Sequence, residues 1–495
     1  MATKRKRTAS NDAVTSPSSK RSANGHNVQG SSAQAAVDDE LSSINDLLQG
    51  EETSQKQTWQ IGKRVKRLLE SHEKLPISKQ LDAYFLWGTA LTRLASLNED
   101  PTLANAAADK FQQMMQLSKD GADKDAVDAA LGPVGFSLWG SSLLIVATET
   151  QSREVLDRAL AKFQRAVKVD GGTTFETRFQ FAKALKEGGD LVTFLEQEED
   201  KGLKNSSYYK RALQMCRKLE EIYQVESQKQ EEHVDESEED DKVTMQDFAE
   251  AKLLEAVLQG LLEDSSSVDD FHRTIALYQE ACALNRGSAE ALTEMTNYLA
   301  AKCLKRSTLG AKFTVDEWTK LFANLEAEYK SLLLDAGFDL QECHNICNRK
   351  DTHNQEELNK EEVEKRVPHL LNTLGKGLAA FVRSFPHLVD DAGQQKKKQK
   401  RKRHEVSGSA RFTHAVEILR SAHHFHDKLG SYYLACLYAS PAFEDEVQCR
   451  TWLETADSYG ALEDEFDVQE FTTMHDKAWF KRLAQPSVQI DESDG

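Results

Sequence analysis

Cys343, His344, Cys347 and His353 form the one cluster in the sequence where side chains able to hold zinc gather within a short stretch. The cluster lacks a paired C-x2-C knuckle and a second ligand pair at zinc-finger spacing, so two readings stand side by side. One is a metal site centred on Cys343 and His353. The other is that Cys343 and Cys347, at i and i+4, share a helix face as two small core residues; this second reading is adopted, and no metal, cofactor or catalytic residue is assigned. His423-His424-Phe425-His426 likewise reads as an interface patch at a helix end.

No phosphate-cradling G-x-x-x-x-G-K-[ST] loop, G-x-G-x-x-G fingerprint, G-x-S-x-G elbow or H-E-x-x-H helix occurs, so the chain reads as a protein without enzymatic activity. Gly171-Gly172 and Gly188-Gly189 are expected at helix ends, where glycine supplies a left-handed cap.

Charge points to partners rather than to substrates. The formal net charge of -18 opposes nucleic acid and anionic membrane over the surface as a whole, so binding to either needs a segregated basic patch. Two exist. Lys4, Arg5, Lys6 and Arg7, followed at a distance by Lys20 and Arg21, have the spacing of a two-cluster nuclear import signal, which an importin-type receptor reads as an extended peptide. Ser10 and Ser16 lie in local contexts that kinases accept, and phosphate there would neutralise the basic cluster. The second patch is Lys396, Lys397, Lys398, Lys400, Arg401, Lys402 and Arg403, with no aromatic interleaved. It reads as another import signal, a nonspecific contact for RNA phosphates, or a solvated loop.

The seven scattered cysteines suit reduced thiols, and no run of about 18 apolar residues or secretory leader is apparent. The expected setting is therefore the nucleus, with the cytoplasm also open, and no membrane partner.

The elements that would position these groups are helical. Charged residues make up 29% of the chain and prolines number 8, with Leu, Ala, Glu, Lys and Gln prominent. An internal repeat runs at a 52-residue period: Tyr84-Phe85-Leu86-Trp87-Gly88 recurs as Phe136-Ser137-Leu138-Trp139-Gly140. At matching offsets follow Ala107 with Lys110-Phe111-Gln112, and Ala159 with Lys162-Phe163-Gln164. Such a pattern describes paired helices, with Trp87 and Trp139 filling the interface, glycine permitting close approach, and the alanine expected to meet the glycine.

Ala159, Phe163 and Ala166 follow an A-x3-F-x2-A spacing that resembles the tetratricopeptide motif, with Phe136, Trp139 and Gly140 at its first-helix positions. About seven extra residues separate the helices relative to that family's unit. Residues 274–281 with 292–299, and residues 415–422 with 432–456, resemble further units, and Trp479 to Leu483 a closing segment. The resemblance implies an all-α, irregular tetratricopeptide-like α-solenoid with a disordered N-terminal tail and charged loop insertions, holding protein partners in a groove. A carboxylate clamp of the chaperone-binding kind is not implied, because Phe85 and Thr89 stand where such relatives carry Lys and Asn.

The layout also resembles the fungal nuclear family called enhancer of translation termination, through its Lys-Arg-rich tail, the Asp39-Glu40-Leu41 segment, irregular repeats and a central acidic insert. That implies a nuclear adaptor acting on translation termination, or on a dioxygenase partner. An RNA-processing or ribosome-biogenesis factor using the basic segments is the alternative, and a metal-dependent enzyme the remaining one.

The expected organisation is a basic tail over 1–37, N-terminal repeats over 38–225 opening on a short amphipathic helix, and an acidic insert over 226–243. Central repeats over 244–390, a basic insert over 391–410, a C-terminal repeat and cap over 411–485, and an acidic tail over 486–495 follow.

Overall fold

A computed structural model describes residues 28–50, 54–71, 75–117, 124–199, 206–232, 243–308, 313–348, 360–386 and 410–484. Among the described residues every regular element is helical. The chain divides into two compact units, Met1–Ala166 and Val167–Gly495.

The first unit begins with α1 (Val28–Gln49) and α2 (Gln55–Ser71), then α3 (Ile77–Asn98), α4 (Pro101–Leu117), α5 (Lys124–Glu149) and α6 (Arg153–Val169), whose last turn crosses the boundary. The helix expected from residue 38 starts ten residues earlier, inside the stretch read as a tail. Its Val37, Leu41 and Ile44 recur at helical spacing and are buried against Ile61, Val65 and Leu68 of α2.

Helices α3 and α4 pair, and α5 packs on both. The contact is a glycine notch. A β-carbon built on Gly88 would lie 2.7 Å from the Phe111 ring, and one on Gly140 would lie 2.7 Å from the Phe163 ring. The ring, and not Ala107 or Ala159, therefore occupies the space over each glycine. Both alanines are fully buried beside it, where a larger side chain would hold the helices apart.

α3 has 22 residues, and α4 and α6 have 17 each. α5 is two helical segments that meet at Gly132, whose φ of +55° and ψ of -173° leave the helical region and suit glycine, with Pro133 opening the second segment. By length and composition alone α5 could cross a membrane, but Phe136, Trp139, Leu143 and Ala147 are buried in the protein.

The second unit opens with α7 (Phe175–Glu199), α8 (Ser206–Glu232), α9 (Met245–Leu262), α10 (Val268–Leu284) and α11 (Ala289–Leu304). Then come α12 (Val315–Asp335), α13 (Glu342–Asn348), α14 (Lys360–Ser384), α15 (Ala410–Phe425), α16 (Ser431–Ala439), α17 (Glu446–Ser458), the single turn α18 (Leu462–Glu465) and α19 (Ala478–Leu483). Side-chain caps start several of these: Thr244 with Asp247 and Thr314 with Glu317 form capping boxes, and Ser267 and Ser288 each accept from an N3 amide.

One expectation is corrected here. Gly188-Gly189 lies inside α7 and caps nothing; Gly189 makes a third notch, its built β-carbon 2.4 Å from the Tyr209 ring of α8. Gly171 and Gly172, by contrast, follow α6 with φ of +68° and +73°. α8 runs on to Glu232, into the stretch read as an acidic insert, the rest of which to residue 242 lies outside the described residues. The compact division falls after Ala166, and one apolar core runs from Leu253 to Phe480, across the expected boundary between central and C-terminal repeats. It is continuous because α14 packs on α11 and α12 on one side and on α15 and α16 on the other.

Candidate partner-binding groove

The repeat residues assemble as an interface inside the first unit. Phe111 fills the Gly88 notch and also stacks on Trp139, ring centroids 6.3 Å apart, so one aromatic ties the first hairpin to the next. Lys110 lies over Trp87 at 4.2 Å and Lys162 over Trp139 at 3.4 Å. Burial lowers the pKa of both lysines. Ala166 is fully buried. Thr92 and Ser142 share a buried hydroxyl bond of 2.8 Å between α3 and α5. Phe85 packs edge-on to Phe111, and the Thr89 hydroxyl donates to the Phe85 carbonyl.

The cysteine–histidine cluster is spread over helix contacts. Cys343 is buried in the core, Cys347 lies 3.5 Å from the Glu417 carbonyl of α15, and His344 Nδ1 pairs with the Glu417 carboxylate at 2.6 Å. His353 lies outside the described residues. Burial pushes the Cys343 thiol up to about 11. Among the described residues no three His, Cys, Asp or Glu side chains are grouped to hold a metal ion. His423 stands edge-on to Trp452 and Tyr459 of the α17 hairpin. The basic clusters at Lys4 to Arg7, Lys20-Arg21 and Lys396 to Arg403, with Ser10 and Ser16, lie outside the described residues.

Among the described residues, the second unit carries a cleft of about 740 Å³ between α10 and α12, with α11 beneath. Leu292, Met295, Leu325 and Leu332 form a buried apolar floor, and Cys282 is half-buried among them. Burial, with the Glu328 carboxylate nearby, pushes the Cys282 thiol up to about 11. The walls are polar: Asn324, Glu328, Ser331 and Asp335 follow one face of α12, and Gln279, Asn285 and Arg286 stand opposite. A floor that excludes water beneath a convergent polar rim is what a recognition site needs. Sequence reasoning missed this groove. The signal available was the row of polar residues at positions 324, 328, 331 and 335, which on its own describes any solvated helix face.

The fold defines a class: among the described residues, an all-helical protein whose helices pack in neighbouring pairs, consistent with an α-solenoid. No protein-family model matches the sequence, and no curated protein matches it.

Proposed function

We propose that this chain is a nuclear adaptor built on tetratricopeptide-like helical repeats, which holds a partner protein by a segment lying in the α10–α12 cleft and catalyses nothing itself. The observation that carries the reading is the cleft: an apolar floor under a polar rim, formed by consecutive helices in the way a solenoid makes its groove. The repeated glycine notches at Gly88, Gly140 and Gly189 support the repeat architecture. The import-type clusters in the sequence support the nucleus. An action on translation termination or gene expression through the bound partner follows from the layout resemblance.

The test uses Ala327, an exposed residue on the cleft wall. Tagged wild-type and Ala327→Arg chains are expressed in cells and their neighbours compared by proximity labelling. The reading expects specific neighbours that Ala327→Arg loses while remaining folded by circular dichroism. An unchanged set of neighbours would remove the groove from the function.

A further inference from the structure

The rim of the cleft carries polar side chains whose hydrogen-bonding groups are not used within the described part of the molecule. Gln279, Asn285, Asn324, Ser331, Glu328 and Asp335 line it, and among the described residues their side chains make no hydrogen bond or ion pair. Three are amides, each able both to donate and to accept, and they stand on both walls. A helical ligand has already paired its own main-chain groups, whereas an extended one brings an unpaired N–H and C=O at nearly every residue. The amides are therefore matched to an extended main chain.

Charge and spacing add a second constraint. The charged lining residues are Glu328, Asp335 and Arg286, so two carboxylates on one wall face a single guanidinium at the turn after α10. Glu328 and Asp335 are seven residues apart on α12, which at the helical rise separates them by about 10 Å along the axis. A polyproline-II segment rises about 3.1 Å per residue with three residues per turn, so its side chains i and i+3 project the same way about 9 Å apart. Two basic side chains at that interval would reach both carboxylates, and an apolar residue between them would lie over Leu292 and Met295.

We propose that the α10–α12 cleft takes an extended, polyproline-II-like peptide segment of a partner protein carrying two basic residues three apart with an apolar residue between them. The inference rests on the adaptor reading and specifies the chemistry of what is held.

The test uses the purified full chain and a fluorescein-labelled Ala-Arg-Pro-Leu-Arg-Ala peptide, followed by anisotropy and by protection of Cys282 from alkylation at alkaline pH. Cys347, also half-buried but outside the cleft, is the internal reference. The expected result is selective protection of Cys282. Glu328→Gln or Asp335→Asn should weaken binding about tenfold each, and Glu221→Gln, an exposed acid on α8, should leave it unchanged. Peptides with the arginines two or four residues apart should bind at least about tenfold more weakly. Equal protection by a Gln-Pro-Leu-Gln peptide would overturn the basic-ligand inference while leaving the groove as a peptide site. Tight binding by a helical peptide with basic residues seven apart, in place of the extended one, would overturn the extended conformation. Failure of every peptide to protect Cys282 would overturn this inference, whereas the Ala327→Arg comparison decides the adaptor reading separately.

Discussion

At Gly140, a single added methyl would meet ring carbons of Phe163 at 2.7 Å, closer than carbon atoms pack, and at Gly189 it would meet Tyr209 at 2.4 Å. Neither ring can withdraw easily, since Phe163 is 2% exposed and Tyr209 is held by its hydroxyl donating to Asp190 at 2.8 Å. Gly140→Ala and Gly189→Ala should each lower stability by about 1–3 kcal/mol, the cost of overpacking a filled interface, read from the urea midpoint. Gly62 is the opposite case. It lies within α2, and a β-carbon there would touch the Trp87 ring at an ordinary 3.7 Å. Gly62→Ala should therefore raise stability by up to about 1 kcal/mol, because alanine favours the helix and restricts the unfolded chain. The same measurement giving loss at Gly62 or no loss at Gly140 would contradict the notch as described.

Between elements, a buried lysine and a histidine tie helices that apolar contacts alone would leave free to slide. Lys252 of α9 is only 5% exposed and lies 3.0 Å from Glu220 of α8, 3.5 Å from Glu255 and 3.5 Å from Glu280 of α10. Burial pulls its pKa down, but the bond to Glu220 and the three carboxylates outweigh that and hold it raised. Lys252→Ala would leave the buried Glu255 with only the more distant Arg217 guanidinium, 3.9 Å away, a loss of about 3 kcal/mol, at the lower end for broken buried pairs because that partner remains and Glu220 and Glu280 reach solvent. Lys252→Met, which restores the stem, should recover only the packing part of that loss in the same denaturation assay.

His414 of α15 pairs with Glu326 of α12 at 3.0 Å. The bond to Glu326 raises the histidine pKa above 6.5, and the bond to His414 lowers the glutamate pKa below 4.5. The histidine's contribution is thus complete below about pH 6.5 and lost as pH rises through its folded pKa. The glutamate's is complete above about pH 4.5 and lost as pH falls through its own. The stability difference between wild type and His414→Gln should be largest between about pH 5 and 6 and shrink on both sides. Both side chains are about one-third exposed, so the maximum should stay below about 1 kcal/mol.

For the whole molecule, the net charge of -18 makes the basic clusters exceptions to the surface they belong to. Replacing Lys4 to Arg7, Lys20-Arg21 and Lys396 to Arg403 with glutamine should move a fluorescently tagged chain from nucleus to cytoplasm; retention in the nucleus would count against the import assignment. Helical class was legible because the 3.6-residue pattern is local, and the first two hairpins because Trp87-Gly88 and Trp139-Gly140 repeat with their phenylalanines at one offset. The third hairpin was not. Tyr209 follows Gly189 at a shorter separation than Phe111 follows Gly88, and a Gly-Gly pair imitates a helix stop. The cleft was illegible for a different reason: Asn324 and Asp335 acquire meaning only when Leu292 of another helix lies beneath them.

The notches carry one more implication. A ring seated on a glycine fixes how far along each other two helices lie, independently of the turn that joins them. Connections can then lengthen or shorten, as those of this chain do, at little more than the slowly growing entropy of closing a loop. The order in which helix faces meet is thus encoded as a set of keys, and the spacers between keys are open to variation without loss of the architecture.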